Sequence, residues 1–377
     1  MEDKRTVGVE EELLLIDPET RQASPRSDQV LEHLPPDEQR DAAEDLDHEL
    51  FRHQLETRTP PAVGLDELRE HLVRGRRFAA EAAARVGLAT AASGTSPLES
   101  GEPQITRDDR YLDMVGRYGE IARPGGTCGM HVHVHVASDE EGVRAIDATA
   151  PWLPLVLAVS ANSPYFRSRD TGYASWRSQI WARWPSAGPT EAFGSVERYR
   201  LVSERMIASG AARDPGMLYF DARLSADHPT VEVRISDVCT AVDDAVLVAA
   251  LLRALITWGA EPGSARSRVP GADEPPVWCA ELLRAAQWRA ARYGLAGELV
   301  SPTTGQLVPA RAALDDLVDL VREQLEATGD LDRVRDGLPR VLAGGGATRQ
   351  RQAYERTRSL TAVVDDLVER TNAAAVG

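Results

Sequence analysis

The chain has 377 residues, of which 42% are hydrophobic and 27% are charged, and its formal net charge is −16 at pH 7. This acidic balance excludes a nucleic-acid partner, because phosphate backbones require a basic face. No apolar run approaches the roughly 20 residues of a membrane-spanning helix, so we expect no membrane partner. The first residues contain no signal-peptide stretch, and three cysteines are too few for a disulfide framework. We therefore expect a cytoplasmic protein that acts on small molecules.

The first part of the chain is predicted to form two strands with charged faces and one connecting helix. Residues 6–16 alternate in the manner of a strand, which places Glu10 and Glu12 on one face. A second strand is predicted over 49–58, where Glu56 belongs to another charged face. Apolar residues recur at helical spacing over 65–86, so a helix is expected between these strands and the next ones.

Residues 128–136 read Cys-Gly-Met-His-Val-His-Val-His-Val, with three histidines at two-residue spacing. Side chains on a strand alternate between faces, so His131, His133 and His135 are predicted to share one face while the valines pack into a core. Imidazole binds metals, donates hydrogen bonds to anions and relays protons, so this row by itself leaves the chemistry open.

The remaining elements are expected to alternate between strands and helices and to end in a helical part. In chain order they are a strand over 89–94, a helix over 111–118, helices over 138–149 and 152–161, an irregular segment over 164–194, paired strands over 217–223 and 230–235, a helix over 241–258, and helices from about 275 that break at 344–346. A long irregular segment in a compact domain is more often functional than idle, so 164–194 is expected to shape a substrate pocket.

Polar side chains on the predicted inner faces suggest a common site. They are Glu10, Glu12, Glu49, Gln54, Glu56, His131, His133, His135, Asp221, Arg223, Glu232 and Arg234. On a single strand such alternation usually marks a solvated face, but the same pattern on four strands favours convergence. Carboxylates with one or two imidazoles are ligands for Mg²⁺ or Mn²⁺, and arginines on the same face suggest an anionic group such as phosphate.

Several segments in collinear order carry a resemblance to a known family. They are 8–12, 49–56, 129–134, 162–164, 171–177, 221–223, 230–234 and 235–238. Together they resemble the bacterial glutamate–cysteine ligase family 2, the carboxylate–amine ligase branch of the glutamine-synthetase-like superfamily. Each motif alone is weak, since a Gly-x-Glu-x-Glu strand or a His-x-His pair occurs in many unrelated metalloproteins.

The resemblance implies an α+β, glutamine-synthetase-like catalytic fold, in which a curved, mainly antiparallel sheet forms an active-site funnel flanked by helices. It implies a single catalytic domain over 1–377, whose helical C-terminal part begins near 275. It further implies an ATP-dependent carboxylate–amine ligase of glutamate–cysteine ligase type, which forms an amide through an acyl phosphate and releases ADP and phosphate. The implied cofactors are ATP and Mg²⁺, with Mn²⁺ as a substitute, and the partners are a small carboxylate and an amine.

The resemblance also implies roles for individual residues. The metal shell carried over by motif is Glu10, Glu12, Glu49, Glu56, His131 and Glu232. Arg234 is expected to contact the transferring phosphate, and Arg234 and Glu56 are the expected catalytic residues. Glu49 is inferred only from its spacing before Glu56.

Other polar residues have two interpretations. His133 and Arg223 are expected to bind the cofactor, whereas His135 is expected to be hydrogen-bonded or solvated at the end of its strand. Arg177 and Arg223 are candidates for the substrate carboxylate, but an arginine in a Trp-rich loop can also stack on indole. Asn162 is a substrate candidate by resemblance and otherwise a helix cap.

Alternative functions stay open at the level of sequence. A metal-dependent hydrolase uses the same His and carboxylate ligands, and a requirement for nucleotide separates it from a ligase. The same ligase chemistry on a different amine, or a nucleotide-binding scaffold without turnover, also fits the motifs. A homodimer is expected from the commonness of symmetric pairs among soluble enzymes.

The glycine run at 344–346 is not a phosphate-binding loop, because it lacks the Gly-Lys-Ser/Thr ending. It is predicted to be a hinge or a helix break. A sharper hypothesis places Arg349 or Arg351 over the mouth of the funnel.

Overall fold

The computed structural model describes residues 4–34, 40, 45–123, 126–264 and 278–373. The predicted start of the helical part near residue 275 lies outside these residues. The described chain is an α+β structure, as predicted. Its strands are β1 (Val7–Ile16), β2 (Asp45–His48), β3 (Gln54–Arg58), β4 (Ala89–Ala91), β5 (Gly129–His135), β6 (Tyr165–Phe166), β7 (Arg169–Asp170), β8 (Ala222–Leu224), β9 (Thr230–Asp237), β10 (Glu298–Val300) and β11 (Leu307–Pro309).

The main sheet of the described chain has the strand order β2-β3-β1-β5-β9-β8, and β4 also pairs with β1. Every pairing in this sheet is antiparallel. The strands from distant parts of the sequence therefore lie side by side, with β1 at the centre between β3 and β5. β6 with β7 and β10 with β11 form two small separate hairpins.

Helices follow the predicted pattern over most of the chain. They are α1 (Ser27–Leu31), α2 (Leu65–Arg85), α3 (Asp109–Tyr118), α4 (Asp139–Thr149), α5 (Leu153–Ser160), α6 (Trp176–Trp181), α7 (Val196–Ala208), α8 (Val242–Ala260), α9 (Ala280–Tyr293), α10 (Ala310–Leu320), α11 (Arg322–Thr328), α12 (Leu331–Gly344), α13 (Gly346–Thr357) and α14 (Leu360–Asn372). Gly87 adopts a φ of +72° just after α2, which explains why that helix stops where the sequence predicts.

One hydrophobic cluster connects the sheet with the helices on its apolar side. Val132 and Val134 on β5 are fully buried in it, as the alternating pattern predicts. The helices α2, α4, α5 and α8 contact the strands, and α8 is apolar around most of its circumference because it lies inside this core. The cluster extends to Leu314 on α10 and Val364 on α14, so the C-terminal helices share the same core.

Three local predictions are wrong. The strand predicted over 49–58 begins only at Gln54, because the chain turns between β2 and β3. The strand predicted over 217–223 is confined to Ala222–Leu224 and is preceded by a 3-10 turn at Pro215–Met217. The segment predicted to be irregular contains β6, β7 and α6.

No single helix among the described residues is long and apolar enough to cross a membrane. Within the same residues, α4 and α5 taken together, across a 73° bend, form the one pair that reaches the necessary length and composition.

An ion pair at the start of α4 predicts acid-sensitive stability. Glu141 accepts hydrogen bonds from Arg5 and from the amide of Ala137. Burial opposes ionisation, but these bonds hold the pKa of Glu141 below its ordinary value of 4.5. A lowered carboxyl pKa stabilises the fold above the unfolded pKa, and this contribution is lost as pH falls through the folded pKa.

We therefore expect Glu141→Gln to lower the free energy of unfolding by about 1 kcal/mol at neutral pH. The difference from the parent protein should shrink as pH falls through the lowered pKa of the Glu141 carboxyl group, because the carboxylate of the parent is then protonated. Urea unfolding of both proteins across this range measures it. A difference that is the same at neutral and acid pH would contradict the assignment to the Glu141 carboxylate.

Candidate metal and phosphate site

The polar face of the sheet forms where β3, β1, β5 and β9 lie next to each other. Glu10 lies opposite His131 in the pairing of β1 with β5, and Glu12 lies opposite Glu56 in the pairing of β1 with β3. Glu232 on β9 lies opposite His133. The predicted convergence of acidic and histidine strands is thus present in the structure.

The three histidines share one face but have different surroundings. His131 is buried, with its Nδ1 3.0 Å from Glu10 and its Nε2 3.7 Å from Glu12. His133 is partly exposed, and its Nδ1 lies 3.0 Å from the hydroxyl of Thr230. His135 is partly exposed at the end of β5. The row therefore has one member at the centre of the carboxylates and two members toward its rim.

Two groups of three potential metal ligands occur among the described residues. In each group the ligand atoms lie within 4.8 Å of one another, and the groups are Glu10 with His131 and Glu232, and Glu12 with Glu56 and His131. The contact to Glu10 assigns the proton of His131 to Nδ1, which leaves the lone pair on Nε2. This Nε2 is buried, has no hydrogen-bond partner in the described part of the chain, and lies 3.7 Å from Glu12.

The electrostatics of the group formed by Glu12, Glu56 and His131 fit a divalent cation. Burial and the neighbouring Glu10 and Glu49 raise the pKa of Glu56 well above its ordinary value. Burial and Arg234 lower the pKa of His131, so its imidazole is neutral at pH 7 and can act as a ligand. Clustered carboxylates around a neutral imidazole provide the oxygen-rich donor set that Mg²⁺ and Mn²⁺ prefer.

Arg234 extends toward the same cluster from β9. It donates a hydrogen bond to Glu232, and its Nη1 lies 3.5 Å from Nδ1 of His131. Its guanidinium lies 5.9 Å from the ring centre of Trp181 and 5.5 Å from that of Tyr219. These rings fix the plane of a buried cation whose Nε has no hydrogen-bond partner in the described structure.

Arg223 is held by its neighbours instead of pointing into open space. Its Nε donates to Glu232 at 2.8 Å, and its Nη1 donates to the carbonyl groups of Pro215 and Gly216. Glu232 thus lies between Arg223 and Arg234, which both lower its pKa against the effect of burial. Arg223 orients Glu232, which differs from the cofactor and substrate contacts expected of it.

Glu49 lies in the turn before β3 and belongs to neither group of ligands. One of its carboxylate oxygens accepts a hydrogen bond from the amide of Leu50 at 2.6 Å. Burial and then Glu12 raise its pKa to about 7. Glu49 therefore interacts electrostatically with the cluster. It lies in a turn, however, and not on the strand that the sequence predicted.

Arg177 lies deeper, behind the start of β5. Its guanidinium stacks 5.5 Å from the ring centre of Trp181, and its Nη2 lies 3.3 Å from the carbonyl oxygen of Arg234. A Cβ at Gly129 would lie 2.2 Å from this Nη2, so only glycine at the start of β5 leaves room for the arginine. Indole stacking, one of the two interpretations of Arg177, is therefore present. Among the described residues, the buried Nε of Arg177 has no hydrogen-bond partner.

Asn162 is committed to the fold. Its side-chain amide donates to the carbonyl groups of Ala92 and Val238, and its oxygen accepts from Gln350 at 2.8 Å. The side chain is 1% exposed and has no polar group left for a substrate. A Cβ at Gly346 would lie 2.5 Å from the same oxygen, so the glycine run lets α13 pack closely against this junction.

The two arginines after the glycine run bind elsewhere. Arg349 donates to Asp244 at 2.7 Å, at the N-terminal end of α8. Arg351 donates to Asp170 and to the carbonyl oxygen of Tyr173, both at 2.9 Å. In this structure both arginines fasten α13 to neighbouring elements, and the break at 344–346 separates α12 from α13.

The sequence did not identify every residue around this site. Trp181 and Tyr219 form the aromatic wall behind Arg234, and Gln287 on α9 hydrogen-bonds Asp221. The tryptophan-rich segment was a signal for the first of these. Nothing in the local sequence marks Gln287, because its position depends on the packing of α9 against α6.

Comparisons with known proteins give the family of the chain. The sequence model of glutamate–cysteine ligase family 2 matches residues 6–370. A Nocardioides sp. protein named "Putative glutamate–cysteine ligase 2-1" is 53% identical, over 98% of this chain and 97% of its own length. A Streptomyces coelicolor protein named "Putative glutamate–cysteine ligase 2" is 46% identical, over 98% of this chain and 100% of its own length.

Solved structures share the fold at low sequence identity. The glutamate–cysteine ligase of Francisella tularensis in complex with AMP has a TM-score of 0.68 at 10% identity, and the alignment covers 100% of this chain and 94% of that one. A bifunctional glutathione synthetase from Pasteurella multocida has a TM-score of 0.69 at 16% identity, and the alignment covers 99% of this chain and 52% of that one. The predicted glutamine-synthetase-like fold is confirmed. With its sequence matched over nearly its whole length, the chain belongs to glutamate–cysteine ligase family 2.

Proposed function

We propose that this protein is a Mg-ATP-dependent ligase that joins a carboxylate to an amine, with glutamate and cysteine as the first substrates to test. The observation that carries the proposal is the buried group of Glu12, Glu56 and His131 beside a stacked, buried Arg234. Family membership supports a ligase over a hydrolase built on the same ligands. The mechanism proposed is carboxylate activation to an acyl phosphate, followed by amide formation with release of ADP and phosphate.

The proposed metal residues divide by position. Glu12, Glu56 and Nε2 of His131 would hold one divalent cation, while Glu10 and Glu232 face the opposite nitrogen of the same imidazole. A bound Mg²⁺ or Mn²⁺ supplies positive charge that neutralises phosphate oxygens of ATP. Glu49 is the weakest of the proposed ligands, since it lies outside both groups.

Arg234 and Glu56 are the proposed catalytic residues. The guanidinium of Arg234 is held at the cluster by Glu232 and by aromatic rings, so it requires no reorganisation to stabilise charge on a transferring phosphate. His133, at the rim, is proposed to contact ATP phosphates. Arg177 is proposed to bind the substrate carboxylate through its Nε, which has no hydrogen-bond partner among the described residues, whereas the polar atoms of Asn162 are occupied by contacts within the fold.

The number of catalytic domains is also part of the proposal. The continuous core from β1 to α14 supports one catalytic domain. A cytoplasmic location and a homodimer stay predictions.

The test is ADP release from purified protein with glutamate and cysteine, followed by a panel of other carboxylates and amines, with Mg²⁺ and Mn²⁺ compared. We expect ADP and phosphate to form only when a carboxylate, ATP and a divalent cation are all present, and chelation to stop the reaction. Hydrolysis of a substrate without nucleotide would favour the hydrolase. Failure of every pair, with Glu56→Ala indistinguishable from the parent in nucleotide binding, would overturn the proposal.

A further inference from the structure

Asp221 is a buried carboxylate at the edge of the site, and among the described residues it forms no ion pair. It is 8% exposed and lies immediately before β8. One oxygen accepts a hydrogen bond of 3.3 Å from Gln287, and no arginine, lysine or histidine nitrogen in the described part of the chain lies within 4.0 Å of the carboxylate. By contrast, Glu232 contacts two arginines and Glu56 contacts Arg58.

The position of Asp221 is fixed by the backbone on both sides. Its amide donates to the carbonyl oxygen of Gly188 at 3.0 Å, and its own carbonyl oxygen accepts from the amide of Arg234 at 2.9 Å. The carboxylate is therefore held where it is despite the cost of burying a charge without an ion pair. Such an arrangement is expected where a ligand supplies the missing cation.

A small recess adjoins this carboxylate. About 10 Å³ of space, enough for roughly one group the size of a water molecule or an ammonium, lies between α6, β9 and α9, and its wall includes Asp221, Arg177, Trp181, Arg234 and Gln287. Arg234 belongs to both the recess and the proposed phosphate site. A group bound at Asp221 thus occupies a recess that Arg234 also lines.

We propose that Asp221 binds the ammonium group of the amine acceptor in this recess and removes a proton from it. This inference rests on the proposed ligase function and names the acceptor as a primary amine that enters as a cation. The residue would be both a specificity determinant and a general base.

The chemistry balances with the groups present. The ammonium group gives one proton to the Asp221 carboxylate, and its nitrogen then has the lone pair that forms the C–N bond with the activated carboxyl carbon. The bond from that carbon to the phosphate oxygen breaks, and the phosphate leaves with the electron pair. The departing phosphate takes the second proton of the nitrogen. Burial raises the pKa of Asp221 to about 7, although Gln287 and Arg177 oppose this, so the carboxyl group can exchange a proton near neutral pH.

The test compares charged and uncharged nucleophiles in Asp221→Asn. Cysteine, ammonium and methylamine are the charged acceptors, and hydroxylamine is the acceptor that is mostly uncharged at neutral pH. We expect Asp221→Asn to reduce amide formation with charged acceptors about 100-fold, with a raised KM for the amine. Hydroxamate formation should stay within about 3-fold of the parent. Asp221→Glu should recover part of the loss.

Asp147→Asn is the matched control. Asp147 is a partly buried carboxylate whose pKa is likewise raised by burial, but it lies on α4 and, within the described residues, accepts hydrogen bonds from the backbone amides of Phe193 and Gly194. Its replacement should leave the ratio of amide to hydroxamate unchanged. Because Asp221 has no ion pair to lose, Asp221→Asn should also melt no lower than the parent.

The outcomes separate this inference from the proposed function. Parent protein that forms neither amide nor hydroxamate with ATP counts against the ligase itself. If the parent is active and Asp221→Asn loses both products equally, or neither, the assignment of Asp221 to the acceptor ammonium is overturned. An equal loss would place Asp221 at the carboxylate substrate or in the framework of the site.

Discussion

Arg234→Lys is expected to lower the rate of ADP formation by about 100-fold to 1000-fold, the usual cost of removing a preorganised donor from a developing anion. Lysine keeps the positive charge but lacks the planar guanidinium that lies against the rings of Trp181 and Tyr219 and donates to Glu232. The loss should appear mainly in kcat, because the interaction is used in the transition state. Steady-state kinetics with Mg-ATP and the best substrate pair measure it.

Arg349→Lys is the matched control for this experiment. Arg349 is also a largely buried arginine paired with a carboxylate, but its partner is Asp244 at the end of α8. We expect unchanged affinity for nucleotide and substrate, which would also reject closure of this arginine over the site. Equal loss of activity in both variants, or parental kcat in Arg234→Lys, would contradict the role given to Arg234.

Arg76→Met is expected to lower the free energy of unfolding by about 3–5 kcal/mol, because it leaves a buried carboxylate without its partner. Glu11 and Arg76 are 0% and 1% exposed, and the guanidinium contacts both carboxylate oxygens. Arg76 also donates to the carbonyl groups of Cys239 and Thr240, which follow β9. The variant therefore loosens the attachment of β1 and of the chain after β9 to α2.

The design includes a double variant and a neighbouring control. Glu11→Leu combined with Arg76→Met removes both charges, so it should be less destabilised than Arg76→Met alone, although the two carbonyl groups stay unpaired. The neighbouring Arg77 on α2 is exposed, and its Nε lies 3.9 Å from the carboxylate of Glu81. Arg77→Met should therefore change the free energy of unfolding by less than about 0.5 kcal/mol. Denaturant midpoints of the three variants decide the matter, and an Arg76→Met midpoint equal to that of Arg77→Met would refute the expectation.

Much of the sheet and the polar face was predictable because strand periodicity is a local property. Alternation along residues 7–12 and 129–135 is enough to place Glu10, Glu12 and His131 on polar faces and Val132 in the core. Alternation holds only from Gln54 to Arg58, and residues 49–53 read Glu-Leu-Phe-Arg-His, so the predicted strand was extended to Glu49 beyond the periodic pattern. Glu49 was therefore assigned to a strand and now lies beside it.

Short motifs in collinear order were sufficient to predict the family and the class of the fold, both of which the comparisons confirm. Only the tertiary structure decided which polar residues face the cluster and which are used by the fold. Three hydrogen bonds between residues distant in sequence show this: Arg76 donates to Glu11, Gln350 donates to Asn162, and Gln287 donates to Asp221. The physical reason is that the packing of elements distant in sequence decides which partner a polar side chain meets. The same packing decides whether a polar side chain is buried without a partner, and no local sequence pattern signals either outcome.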